Sequence, residues 1–186
     1  MVNLSVIVIR LLKSMARGQC RQPRGFCYER GVMRKSNAPT APRLQALAAA
    51  DWPADGADAA AMAENLFDFL TDADSANRDW AIFLLAQSAA DGPDVRDALM
   101  RAANDRDLVV RGEAVLGLAR RDAGLALPLV RAGLSAQCVS LPLLEAARLC
   151  AHPMLILDLE YWARPSSNRV ADMAATEALF ACRAGS

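Results

Sequence analysis

The sequence predicts an all-α fold in which helical pairs stack into a solenoid, and three observations predict it. First, the stretch Asp105 to Ala119 (DRDLVVRGEAVLGLA) repeats the plan of Asp72 to Ala86 (DADSANRDWAIFLLA). Second, the offset is 33 residues, and it carries Arg78 to Arg111, Ala81 to Ala114 and Leu85 to Leu118. A period near that length, with one helical hairpin per unit, is the signature of a repeat array. Third, the chain is 54% hydrophobic but only 5% aromatic. Alanine and leucine therefore supply the apolar surface, and short side chains let helices approach closely.

Residues 1–36 stand apart. They carry eight Lys or Arg and one acid, whereas the remainder carries thirteen Arg and twenty acids. The apolar run Leu4 to Leu12 is interrupted by Arg10 and is too short to cross a membrane. This segment is expected to be a poorly ordered basic extension. The abrupt change of composition at Met33 further predicts that the native start lies there. Residues 37–186 are expected to form a single repeat domain.

The elements follow in order. Ala38 to Pro42 reads as a linker, and Arg43 to Ala50 as a short helix ended by Trp52-Pro53 and Gly56. Asp58 can cap a helix over 59–70, which completes the first pair. The helix after Asp74 is followed by a second over Pro93 to Ala103. The helix after Asp107 is followed by one over Leu125 to Leu134, with Pro128 in its first turn, where a missing N–H costs little. A third, degenerate unit comprises Ser140 to Cys150 and Met154 to Trp162, and it lacks the arginine. The last helix, Arg169 to Cys182, offers Val170, Met173, Ala174, Ala178, Leu179 and Cys182 as a buried stripe that closes the array. The sum is about four antiparallel helix pairs plus a capping helix.

The pattern D-x-D-x-x-(x)-R-x-x-A-x-x-x-L-A, read at Asp72 to Ala86 and Asp105 to Ala119, resembles the HEAT repeat in its short bacterial form. That group includes the repeats of phycobilin lyases. The likeness covers about residues 42–183 and is sharpest over 70–134. Asn77 departs from it, since the family prefers an apolar residue there, and so does the missing arginine of the third unit. The resemblance implies a right-handed α-α superhelix whose second helices line the concave face. It also implies a structural ladder along the array, made by Asp74, Arg78, Asp107 and Arg111, in which each arginine reaches the aspartate of the neighbouring unit. From the residues themselves, Asp74 and Asp107 sit where a carboxylate accepts backbone N–H bonds at a helix start.

Chemistry is sparse. No nucleophile elbow, phosphate loop or zinc motif occurs, and no CxxC pair exists among the five cysteines. Cys138, Cys150 and Cys182 lie among apolar residues and read as buried reduced thiols of a cytoplasmic protein. The one histidine, His152, precedes Pro153 and reads as a helix-end residue. Hence no catalytic residue, metal or cofactor is expected. The acidic balance of residues 37–186 makes nucleic acid an unexpected partner, because phosphate contacts need a basic surface. The expected function is a protein-interaction scaffold, with Arg96, Arg101 and Arg131 as a basic stripe on the second helices. Tyr161 and Trp162 are expected as exposed aromatic anchors. Two other readings stand beside it: a chromophore or cofactor lyase subunit, and a HEAT-like DNA glycosylase.

Overall fold

The computed structural model describes residues 19–20, 38–52 and 56–185. Among them are the helices α1 (Pro42–Ala49), α2 (Gly56–Glu64), α3 (Ser75–Gln87), α4 (Pro93–Ala102), α5 (Leu108–Arg121), α6 (Ala123–Leu134), α7 (Leu141–Cys150), α8 (Ile156–Trp162) and α9 (Arg169–Ala184). Two 3-10 turns, Phe67–Thr71 and Pro153–Leu155, lie before α3 and α8. The chain is the all-α helical solenoid that the repeat predicts. A two-residue antiparallel pairing joins β1 (Gln19–Cys20) to β2 (Cys138–Val139). Apart from Gln19–Cys20, the segment expected to be a basic extension lies outside the described residues.

Helix starts follow the sequence chemistry. Prolines open α1, α4 and α7, where their missing N–H would have been unpaired anyway. Aspartates open α3, α5 and α6: Asp74 accepts from the Ala76 N–H, Asp107 from Val109 and Val110, and Asp122 from Leu125.

The first helices α3, α5, α7 and α9 pack side by side, each on the next. Each second helix wedges against the first helix of the following unit, whereas second helices touch one another sparsely. Small residues set the spacing of the first-helix layer. A Cβ at Gly117 would lie 2.9 Å from the Ala86 Cβ and 2.8 Å from a Leu99 methyl. A Cβ at Gly112 would run into the Ser140 hydroxyl. Below this contact, Ile82, Leu85, Leu99, Leu118, Leu134 and Leu144 are fully buried in one core that runs from Leu44 to Cys182. Each such side chain contributes roughly 1.5–3 kcal/mol of apolar burial.

Three elements differ from expectation. The helix expected over 59–70 stops at Glu64. The Asn65 side chain there bonds back to the Ala61 carbonyl and accepts from Arg43, and the chain continues as a 3-10 turn. Helix α6 begins two residues earlier than expected, at Ala123, which leaves Pro128 inside it. The carbonyl that Pro128 cannot bond is that of Gly124, which is exposed and open to water. On α9 the buried stripe is Ala171, Ala175, Ala178, Leu179 and Cys182, and Met173 is 62% exposed. Alanine rather than methionine faces α7 because the two helices run close enough for Cys182 Sγ to lie 3.9 Å from the Ala147 carbonyl.

Ser140 carries a testable cost. Its hydroxyl is buried and has no hydrogen-bond partner. A buried polar group without a partner costs about 1–3 kcal/mol. Ser140→Ala is therefore expected to raise the urea midpoint at constant slope, by about 1 kcal/mol. A lowered midpoint would show that the hydroxyl is satisfied.

Candidate functional site

The joint between units is built from the D-x-D-R signature. In each copy the first aspartate folds back on the second: Asp72 Oδ1 accepts from the Asp74 N–H at 2.8 Å, and Asp105 Oδ1 from the Asp107 N–H at 2.7 Å. The second aspartate thereby becomes the helix cap. Arg78, buried on α3, crosses to the next unit and grips Asp105 with two bonds, Nε to Oδ2 at 2.7 Å and Nη2 to Oδ1 at 3.1 Å. Its remaining nitrogen donates to the Asp72 and Ala73 carbonyls. The bridging aspartate is thus Asp105, while Asp107, placed in the ladder by the family resemblance, caps α5 as its position at a helix start suggests. The cause is geometric: Asp107 spends its Oδ1 on the first turn of α5, and Asp105 stands free of the helix. Arg111 has no aspartate ahead of it, because the third unit lacks the D-x-D. It donates instead to the Asp105 and Arg106 carbonyls of its own turn. The corresponding position in α7 is Leu144, fully buried.

Asn77 explains its own departure from the pattern. Its carbonyl oxygen accepts from the Thr40 and Ala41 N–H groups at 2.8 and 3.1 Å, and its amide donates to Asp72. It thereby holds the start of α1, a task no apolar side chain could perform.

A second joint lies at the other end of the first helices, and the sequence reading missed it. Arg121, at the C-terminus of α5, reaches back to the end of α3. It donates to the carbonyls of Leu85, Ser88 and Ala90, and to Gly117 of its own helix. Burial pushes its pKa down from the ordinary arginine value, against the nearby Asp91 carboxylate. Arg96 belongs to the same cluster. It forks onto Asp91 with two 2.8 Å bonds and lies 3.6 Å from Asp122.

The expected basic stripe is therefore divided. Arg96 is engaged with Asp91, and five residues along an α-helix place Arg101 about 140° around from it. Arg101 is exposed and its side chain makes no bond among the described residues. It borders a groove of about 610 Å³ between the 3-10 turn Phe67–Thr71 and α4. Arg131 is exposed near the end of α6 and is likewise unpaired among the described residues. Of the expected aromatic anchors, Trp162 is a correction: it is 3% exposed, and its indole N–H donates to the Leu134 carbonyl at 2.8 Å, closing the end of α6. Tyr161 is half-buried, stacked edge-on against Trp162 and covered by the Arg164 guanidinium at 5.5 Å.

The titrating groups serve structure. Burial would raise the Asp105 carboxyl, but the Arg78 bonds and the Asp107 N–H outweigh it and hold the pKa below its ordinary value. A lowered carboxylate pKa stabilises the fold above the unfolded value near 4 and ceases to do so as pH falls through the folded one. Stability is thus expected to fall as pH drops below about 5, and less steeply in Asp105→Asn; urea midpoints measured down the acid range check it, and parallel profiles would contradict it. Burial raises the Cys150 thiol to about 11 and raises Cys182 too, so both are poor nucleophiles. Cys138, expected as a reduced thiol, is disulfide-bonded. His152 Nδ1 accepts from the Met154 N–H, as a helix-end residue does. Among the described residues no three His, Cys, Asp or Glu side chains cluster as metal ligands would, and no helix is long and apolar enough to cross a membrane.

Comparison with known proteins bears on the fold. Residues 63–148 match the family model for HEAT repeats. None of the curated proteins compared matches significantly. Among solved structures, the chain is similar to the X-ray structure of YibA from Escherichia coli, with 24% identity and a TM-score of 0.50. The similarity covers 66% of this chain and 46% of YibA, so the chain corresponds to about half of that protein's length. At this identity the likeness is one of fold.

Proposed function

We propose that the chain, whose residues 63–148 match the family model for HEAT repeats, is a protein-interaction scaffold whose docking surface lies on its second helices. One observation supports this reading above the others: the charged side chains divide into two sets. The arginines of the joints, Arg78 and Arg121, are 5% and 6% exposed and are bonded within the array. Arg101 and Arg131, at the ends of successive second helices, are exposed and carry no bond among the described residues. Arginines held ready on a rigid frame are common anchors of interfaces. The acidic balance of residues 37–186 weighs against a phosphate backbone as the partner.

The test is capture of a partner from the native host by the full chain, compared with an Arg101→Ala/Arg131→Ala variant and an Arg169→Ala control. The expected result is loss of capture in the double variant alone. Hydroxyl-radical footprinting of the complex is expected to protect α4 and α6. Unchanged capture by the double variant, or protection confined to the first helices, would overturn the reading.

A further inference from the structure

We propose that the groove between the 3-10 turn Phe67–Thr71 and α4 takes a short acidic peptide segment that also bears an apolar side chain. This deepens the scaffold reading and rests on it. At about 610 Å³ the groove is an open cleft whose volume lies within the range of ligand clefts. Its apolar wall is formed by Phe67 and Leu70 from the turn and by Ala98 and Ala102 from α4. The small alanines leave depth where the half-buried Phe67 and Leu70 supply contact.

The charges decide the ligand. Two aspartates line the groove, and both are already occupied. Asp72 accepts from the Asp74 N–H and from Asn77, and Asp105 accepts from Arg78 and the Asp107 N–H. Arg78 is consumed by Asp105 and by two carbonyls. The cations with bonding capacity to spare are Arg101, which is unbonded, and Arg106, which is exposed and makes one 3.1 Å bond to the Ala73 carbonyl. With three arginines against two aspartates, the groove is cationic within an otherwise acidic region. A basic segment would meet Arg101 and Arg106 head-on, and a wholly apolar one would leave both without a counter-charge. A carboxylate side chain answers them, and guanidinium–carboxylate pairs are the strong charge-assisted class. Asn104 lies alongside: its amide nitrogen donates to the Met100 carbonyl, which leaves its oxygen to accept a peptide N–H.

Selection of a phage-displayed library of random twelve-residue peptides on the folded full chain tests this. The expected outcome is enrichment of peptides that carry both carboxylates and an apolar residue. A selected peptide, resynthesised with a fluorophore, is expected to bind about tenfold more weakly to Arg101→Glu. Thr71→Trp, at an exposed position on the groove lip, is expected to weaken it similarly by steric block, and Arg169→Glu is expected to leave it unchanged. None of these side chains holds the fold, so thermal melts matching the parent are the control. Three outcomes overturn the proposal: enrichment of neutral or basic peptides, no enrichment at all, or acidic peptides that bind Arg101→Glu and Thr71→Trp as well as the parent. The last places peptide binding elsewhere on the array and leaves the scaffold reading standing. Failure of that reading is seen separately, in the capture experiment.

Discussion

Asp105→Ala is expected to lower stability by about 3 kcal/mol, the low end of what removing one partner of a buried pair costs. Arg78 and Asp105 are 5% and 12% exposed on their side chains, so the substitution strands a guanidinium away from water. It also removes the acceptor that positions the Asp107 N–H. Asp107→Ala, which removes only the cap of α5, is expected to cost about 1 kcal/mol. For a chain of this size, thermal midpoints move about 2–4 °C per kcal/mol, so the two variants separate clearly by calorimetry. Salt is expected to change the difference little, because buried pairs are poorly screened. Equal losses for the two aspartates would sink the assignment of Asp105 as the bridge.

Arg121→Ala is expected to cost a similar amount, about 3 kcal/mol, by a different route. Its guanidinium bonds the Ser88 and Ala90 carbonyls just beyond α3 and adds a bond to the Leu85 carbonyl, which also accepts from Ser88. Deleting it takes the donor from the Ser88 and Ala90 carbonyls and leaves a void beside them. Arg121→Lys is expected to recover little, because one ammonium cannot reproduce a planar fork set among four carbonyls. Arg120→Ala, whose exposed side chain makes one 3.3 Å bond to the Ala86 carbonyl, is expected to cost less than about 1 kcal/mol. Urea unfolding of the three variants checks the order. A lysine variant as stable as the parent would show that charge alone, without the fork, suffices.

These two residues mark where sequence reasoning succeeded and where it stopped. The 33-residue offset made the fold legible because Ala81, Ala114, Leu85 and Leu118 recur in phase with the helices. It also singled out Arg78. It did not say which aspartate Arg78 meets, because Asp105 and Asp107 differ only in which one the helix start consumes. Arg121 left no trace in the period: 33 residues back lies Ser88, whose carbonyl is one of its acceptors. Trp162 read as exposed because it precedes a proline-containing turn, yet its indole N–H is what the open end of α6 required. The groove was invisible for a related reason. It depends on α2 stopping at Glu64, just before Asn65, and an asparagine in a run of helix formers signals no break until Arg43 is seen to hold it.

The glycine and alanine contacts along the first helices have a mechanical consequence. Backbone pressed on backbone, as at Gly117 and Ala86, makes that layer a stiff hinge line, while the sparsely touching second helices form the compliant side. Bending of the array therefore becomes rotation about the hinge line. With helices about 10 Å across, a tilt of roughly 6° between adjacent units shifts the lips of the groove by about 1 Å. The width of the cleft beside Arg101 is then the soft coordinate of the molecule, set by how each pair leans on the next.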